Sequence, residues 1–127
     1  MGTAETQRTA LHTESLSGLH WIGVVATLVT AAVHLFLGVR MLPSAMGGSF
    51  VLAGLGFLGG IGLLLLDYRR RTVYAVGVVY TLVQILLWYW VNFAAGSKSF
   101  PADVGTLGAV DKVAQGVLVV ILVVLLR

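Results

Sequence analysis

Four long apolar segments constrain what this chain can fold into more than any other feature. They cover approximately residues 20–39, 49–66, 73–93 and 105–126, and the first three contain no Lys, Arg, Asp or Glu. A helix rises 1.5 Å per residue, so about 20 apolar residues cross a hydrocarbon core about 30 Å thick. Charged residues make up only 10% of the chain, too few to cover a water-soluble surface. The pattern predicts an all-α membrane protein, an antiparallel bundle of four transmembrane helices.

The chain divides into a polar N-terminal segment, residues 1–18, and a single four-helix domain, residues 19–127. The first segment is rich in Ser and Thr, and we expect it to be disordered or to lie at the surface. It does not resemble a signal peptide, because the following apolar run is long enough to span and lacks a small-residue cleavage site. Gly2 fits a bare myristoylation pattern, but a lipid would add little to a chain anchored by four spans.

The basic residues predict an orientation in the cell membrane. If both termini are cytoplasmic, five of the eight Lys and Arg residues lie inside: Arg8, Arg69, Arg70, Arg71 and Arg127. The run from Arg69 to Arg71 dominates that count, and positive loops are retained in the cytoplasm. The connections between segments are short, so consecutive helices are expected to be antiparallel neighbours. The net charge of +3 is therefore assigned to topology, and no nucleic-acid partner is expected.

Small residues in the second segment are typical of close helix packing. Gly56 and Gly60 form a G-x-x-x-G pair, which allows two helix backbones to approach in lipid. The pair is expected either to pack inside the bundle or to form a homodimer face. The sequence alone does not separate these two uses.

Polar residues in the first and third segments recur at helical spacing. Steps of three and four residues place each set along one face of its helix, and polar residues within spans normally point inward. We therefore expect the two stripes to face each other. The first stripe contains Gly23, Thr27, Thr30, His34 and Gly38, and the second contains Tyr80, Gln84, Trp88 and Asn92.

The fourth segment adds Asp111 and, one turn deeper, Gln115. With a helix starting near residue 103, these side chains reach the depth of His34 and Gln84. The result is the candidate polar intramembrane cluster, which comprises His34, Tyr80, Gln84, Trp88, Asn92, Asp111, Lys112 and Gln115. Intramembrane ionisable groups point to function by default. A His34–Asp111 pair could relay protons, bind a cation or hold a polar head group.

A second interpretation places no charge in the interior. Gly105 and Gly108 delay the fourth helix until about Ala109, so that Asp111 lies in the first turn against the positive helix end. Lys112 then extends to the headgroups. The start of this helix decides between the two interpretations.

Catalytic and cofactor motifs are missing from the sequence. There is no cysteine, no P-loop, no H-E-x-x-H and no G-x-S-x-G, so no enzymatic activity is expected. His20 and His34 lie about 21 Å apart along one helix and cannot ligate one haem. Met41 and Met46 could join His34 in a copper site, but no repeated Met motif supports it. We expect no catalytic residue, metal or cofactor.

A resemblance is carried together by the run Ala32–Gly38, the glycines of the second segment, the Arg69–Arg71 loop, the stretch Tyr80–Trp88 and the run Asp111–Gln115. The chain resembles small four-helix membrane proteins of unknown function from halophilic archaea, and this resemblance implies a fold and a location without an activity. The expected role is a non-enzymatic accessory or structural membrane protein, partnered by the lipid bilayer and by copies of itself or a larger assembly. The alternative is an oligomeric ion, proton or small-solute carrier that uses His34 and Asp111.

Overall fold

A computed structural model of the chain describes residues 13–127, and this part is all-α. The helices are α1 (Gly18–Met41), α2 (Ala45–Leu65), α3 (Arg70–Tyr89) and α4 (Thr106–Leu126), and a π-helical turn, Trp90–Ala94, extends α3. All four, with the π-helical turn counted in α3, are long and apolar enough to cross a membrane. The predicted fold class of four apolar helices is confirmed at that level.

Serine N-cap residues mark where the first two helices begin. The backbone N–H of Ser17 donates to His20 Nδ1 at 3.0 Å, a bond that turns the chain into α1. The hydroxyl of Ser44 accepts from the Gly47 N–H at 3.1 Å and so satisfies one of the unpaired donors of the first turn. This cap starts α2 at Ala45, four residues before the predicted boundary.

Arg70 closes the turn between α2 and α3. Its guanidinium donates to the carbonyl of Leu64 at 3.1 and 2.9 Å and pairs with Asp67 Oδ1 at 3.1 Å. Asp67 and Arg69 have left-handed backbone conformations, with φ of 55° and 45°. The tight turn therefore depends on a side chain that satisfies an end carbonyl of α2.

The helices pack in the cyclic order α2, α1, α4, α3. Helix α1 contacts α2 and α4 along much of its length, α3 packs mainly on α4, and α2 touches α3 over a short stretch. Helices α1 and α3 are diagonal, with no close backbone approach among the described residues. The polar stripes of α1 and α3 therefore lie on diagonal helices, and the hydrogen bonds that join them run through α4.

A seam of small residues joins α1 to α2. A Cβ on Gly47 would lie 2.6 Å from the Met41 carbonyl carbon and 2.8 Å from the Gly38 oxygen. One heptad away, a Cβ on Gly54 would lie 3.1 Å from the Ala31 oxygen. Gly38 pairs with Gly47 and Ala31 with Gly54, an antiparallel register in which small residues let the two backbones approach closely.

The predicted G-x-x-x-G pair packs differently from this seam. A Cβ on Gly56 would lie 2.3 Å from the Tyr80 hydroxyl of α3, whereas a Cβ on Gly60 would meet nothing within 4 Å. Gly60 is therefore not a close-packing residue within this chain, and the structure does not support that half of the internal-packing interpretation. Helices α2 and α3 touch over only a short stretch, so no described residue packs against Gly60.

The polar N-terminal segment, residues 1–18, is described only from Thr13. Leu16 packs against the apolar core, and the hydroxyl of Ser15 accepts from Arg70 at 2.6 Å. The end of the segment therefore lies against the bundle. The Gly2 myristoylation pattern falls outside the described residues.

Candidate functional site

The position of Asp111 depends on the first residue of α4. The helix begins at Thr106, and Gly105 precedes it in an extended conformation. Asp111 thus lies about 8 Å along the helix, and only 4% of its surface is exposed. The alternative start at Ala109, with Asp111 in the first turn, is wrong.

Both carboxylate oxygens of Asp111 accept hydrogen bonds from side chains. The hydroxyl of Thr30 on α1 donates to Oδ1 at 2.5 Å, and the ammonium of Lys112 donates to Oδ2 at 2.7 Å. A buried carboxylate is costly unless it is paired and hydrogen-bonded. Asp111 meets that condition and joins α4 to α1.

The side chain of Lys112 turns toward the interior of the bundle. Its Nζ lies 2.7 Å from Asp111 Oδ2 and 2.7 Å from Gln115 Oε1, and 5.3 Å from the centre of the Trp88 ring. Its side chain is 16% exposed. Lys112 therefore does not extend away from the bundle as the second interpretation expects, and its pairing with Asp111 makes the cluster neutral.

An amide pair extends the cluster to α3. The Gln115 amide donates to Gln84 Oε1 at 3.2 Å, and Gln115 is completely buried. Polar bonds thus run from Thr30 on α1 through three residues of α4 to Gln84 on α3. The two predicted stripes are connected, through α4 rather than by direct contact.

The hydrogen bond of His34 identifies its tautomer. Its Nδ1 lies 2.8 Å from the Thr30 carbonyl oxygen, and a carbonyl can only accept, so Nδ1 carries the hydrogen. The same atom is 3.6 Å from Asp111 Oδ1, beyond a normal hydrogen bond. The ring is flanked by Phe50 and Phe57, with centroids 5.2 and 5.8 Å away.

Two predicted cluster residues donate to backbone carbonyls. The Tyr80 hydroxyl donates to the Ala53 carbonyl of α2 at 2.8 Å, so it connects α2 with α3. The Asn92 amide donates to the Trp88 carbonyl at 2.9 Å, within the π-helical end of α3. Trp88 belongs to the cluster because the Lys112 ammonium lies 5.3 Å from the centre of its ring. We define the polar cluster as Thr30, His34, Gln84, Trp88, Asp111, Lys112 and Gln115.

Thr30 is the cluster member that the candidate set omitted. It is fully buried and belongs to the polar stripe of α1, one turn before His34. That position was the available signal, but threonine in an apolar helix usually bonds to its own backbone. Thr27 does so, with its hydroxyl 2.7 Å from the Gly23 carbonyl. Only the partner on α4 distinguishes the two threonines.

The chemistry of the polar cluster is acid–base and hydrogen-bonding chemistry. One carboxylate, one ammonium, two amides, one hydroxyl and one imidazole meet among apolar helices. Within residues 13–127, no three His, Cys, Asp or Glu side chains are grouped to hold a metal ion. Such a set can fix three helices against one another or move a proton between carboxylate and imidazole.

These features define a small all-α chain of four apolar helices with a neutral polar cluster in one half. Residues 5–126 match the model of a family of unknown function, DUF7475, and the chain belongs to that family. No curated protein and no solved structure matches the chain.

Proposed function

We propose that the chain is an integral protein of the cell membrane, an antiparallel bundle whose four helices all cross the bilayer. The large apolar side chains on its outer surface support this, since Leu52, Leu86 and Val113 are 70%, 69% and 67% exposed. A water-soluble bundle would cover such residues. The resemblance to proteins of halophilic archaea supports an origin in such an organism.

Cysteine labelling tests the proposed topology, with both termini in the cytoplasm. The chain has no native cysteine, so a single introduced cysteine is labelled without background from other thiols of the chain. Tyr68→Cys, in the turn before α3, is expected to react with a membrane-impermeant maleimide only after the cells are permeabilised. Ser97→Cys, in the loop before α4, is expected to react in intact cells. Labelling of Tyr68→Cys from outside would reverse the orientation.

Within the membrane, the role that the geometry supports best is that of a non-enzymatic accessory or structural protein. The observation that carries this proposal is the saturated, neutral Asp111–Lys112 pair. Both carboxylate oxygens and the ammonium are bonded to side chains of the chain itself, so neither group is poised to attack a substrate. The pair holds α4 between α1 and α3 and gives the bundle one arrangement.

Extraction from native membranes tests the accessory role. In a mild detergent the 13.5 kDa chain is expected to migrate in a complex of higher mass, with copies of itself or with other membrane proteins. Crosslinking before extraction controls for dissociation by detergent. Migration as a single chain after crosslinking would contradict the assembly.

A proton carrier is the second candidate function. The 3.6 Å separation between His34 Nδ1 and Asp111 Oδ1 favours it, because a small rotation of the imidazole would bring the two groups into hydrogen-bond reach. Cation or solute carriage by an oligomer belongs to the same proposal.

Reconstituted liposomes test the carrier. Proton flux driven by a pH gradient is expected to fall to the protein-free level in Asp111→Asn and in His34→Ala. Asn92→Ala is the matched control, because the Asn92 amide bonds only to the backbone carbonyl of Trp88 and touches none of the ionisable groups. Wild-type liposomes without flux, or variants with unchanged flux, would eliminate this candidate.

A further inference from the structure

A cleft lies in the half of the bundle opposite the polar cluster. Its volume is about 590 Å³, within the range of about 300–1,000 Å³ that ligand sites occupy. It forms where α2 and α3 diverge, and its floor consists of apolar residues of α4, among them Leu118 and Leu122. The lining is almost entirely apolar.

Glycines make the cleft. Gly56, Gly59 and Gly60 line its α2 side, and a Cβ on Gly59 or Gly60 would meet nothing within 4 Å. Glycine is the weakest helix former after proline. Here the missing side chains at Gly59 and Gly60 leave open space rather than a close helix contact.

One end of the cleft carries a positive charge. Arg69, Tyr68 and Thr72 line that end. The neighbouring Arg70 is engaged with Leu64 and Asp67, and Arg71 donates to the Leu126 carbonyl at 3.0 Å. The guanidinium of Arg69 stacks on the Tyr68 ring at 5.6 Å and makes no hydrogen bond or ion pair with the described residues.

The length of the cleft matches one leaflet. Thr81 at the deep end follows Arg69 at the charged end by twelve positions, which corresponds to a rise of about 18 Å along α3. Half of a hydrocarbon core about 30 Å thick measures about 15 Å. The geometry is therefore that of a groove open to one leaflet, with a cation where the headgroups begin.

We propose that the cleft between α2 and α3 binds an anionic phospholipid, with one acyl chain along the α2 glycines and the phosphate against Arg69. The binding rests on the proposed membrane location. The apolar groove selects the acyl chain, and the guanidinium of Arg69 selects the anionic headgroup, since arginine matches phosphate geometry. The lipid would fill the space that the short α2–α3 contact leaves open.

Lipid titration of the purified full chain in detergent tests the proposal. Native mass spectrometry compares retention of dioleoyl phosphatidylglycerol and dioleoyl phosphatidylcholine, which share their acyl chains. A basic residue near anionic lipid favours binding by about fivefold. Wild type is expected to prefer phosphatidylglycerol by about that factor, and Arg69→Gln to lose the preference. Arg40→Gln, at the other end of the bundle, is the charge-matched control and should keep it.

Two leucine substitutions on α2 test whether an acyl chain occupies the cleft. Gly60→Leu places a side chain in the cleft and is expected to reduce retention of both lipids by about tenfold, since overpacking costs about 1–3 kcal/mol. Gly62→Leu is the matched control, because it lies in open space on the same helix outside the cleft. Thr81→Val should bind like wild type, because only the methyl end of the chain reaches that depth.

Several results would overturn the proposal. Equal retention by Gly60→Leu and Gly62→Leu would place the lipid elsewhere, and equal binding of the two headgroups by wild type would remove the role of Arg69. Weakened binding by Thr81→Val would indicate a ligand with a polar deep end instead of an acyl chain. None of these outcomes bears on membrane insertion, which the cysteine labelling tests separately.

Discussion

Asp111→Asn is expected to lower the free energy of unfolding by about 2 kcal/mol. The amide has the same shape and still accepts from Thr30, but the ammonium of Lys112 loses its counter-charge. Breaking a buried ion pair from one side typically costs 3–5 kcal/mol. Lys112 retains some access to the surface and can extend toward it, so we expect a smaller loss.

A double-mutant cycle separates the ion pair from general packing. Lys112→Met alone leaves the Asp111 carboxylate buried with only the Thr30 hydroxyl as donor, and should cost a similar amount. The double variant Asp111→Asn with Lys112→Met is neutral and leaves no stranded charge, so its stability should exceed that of either single variant. Groups in contact show interaction free energies of about 0.5–3 kcal/mol.

Steric trapping or reversible unfolding in mixed micelles measures the four proteins of this cycle. The Asn92→Ala variant is the control, because its amide bonds only within the end of α3. Additive losses in the cycle would mean that the Asp111–Lys112 pair does not stabilise the bundle. The structural role proposed for the polar cluster would then have no energetic basis.

Helix number and approximate position were predictable because each depends on a local property. Runs of about 20 apolar residues are long enough to span, and no tertiary information is needed to find them. Boundaries were less predictable. The start of α2 moved to Ala45 because a single hydroxyl, Ser44, caps it, and the start of α4 at Thr106 overrode the helix-breaking tendency of Gly108.

The composition of the polar cluster was predictable only in part. Asp111, Gln115, His34 and Gln84 share a depth that helical rise alone gives. How these side chains connect depends on the order in which the helices pack around the bundle. Short loops do not determine which two helices lie on a diagonal. The same lack of information about helix order explains why the sequence did not identify the packing glycines of α2. G-x-x-x-G spacing marked Gly56 and Gly60, whereas the closest backbone approach involves Gly47 and Gly54, which are seven residues apart.

Gly47→Ala is expected to destabilise the fold by about 2 kcal/mol, although alanine is the better helix former. The added methyl group would lie 2.6 Å from the Met41 carbonyl carbon and 2.7 Å from the Leu42 nitrogen. Both atoms belong to the backbone and cannot move aside as a side-chain end can. Overpacking costs about 1–3 kcal/mol or more, which exceeds the gain of about 1 kcal/mol in helix propensity.

Gly48→Ala is the matched control, one residue along the same helix. A Cβ at Gly48 meets nothing within 4 Å, so the variant should gain up to about 1 kcal/mol from helix propensity alone. Thermal unfolding of the two variants in one detergent compares them directly. Opposite signs would show that backbone contact between α1 and α2, rather than glycine flexibility, requires Gly47. If both variants gained stability, the α1–α2 seam would be looser than the register of Gly38 against Gly47 allows.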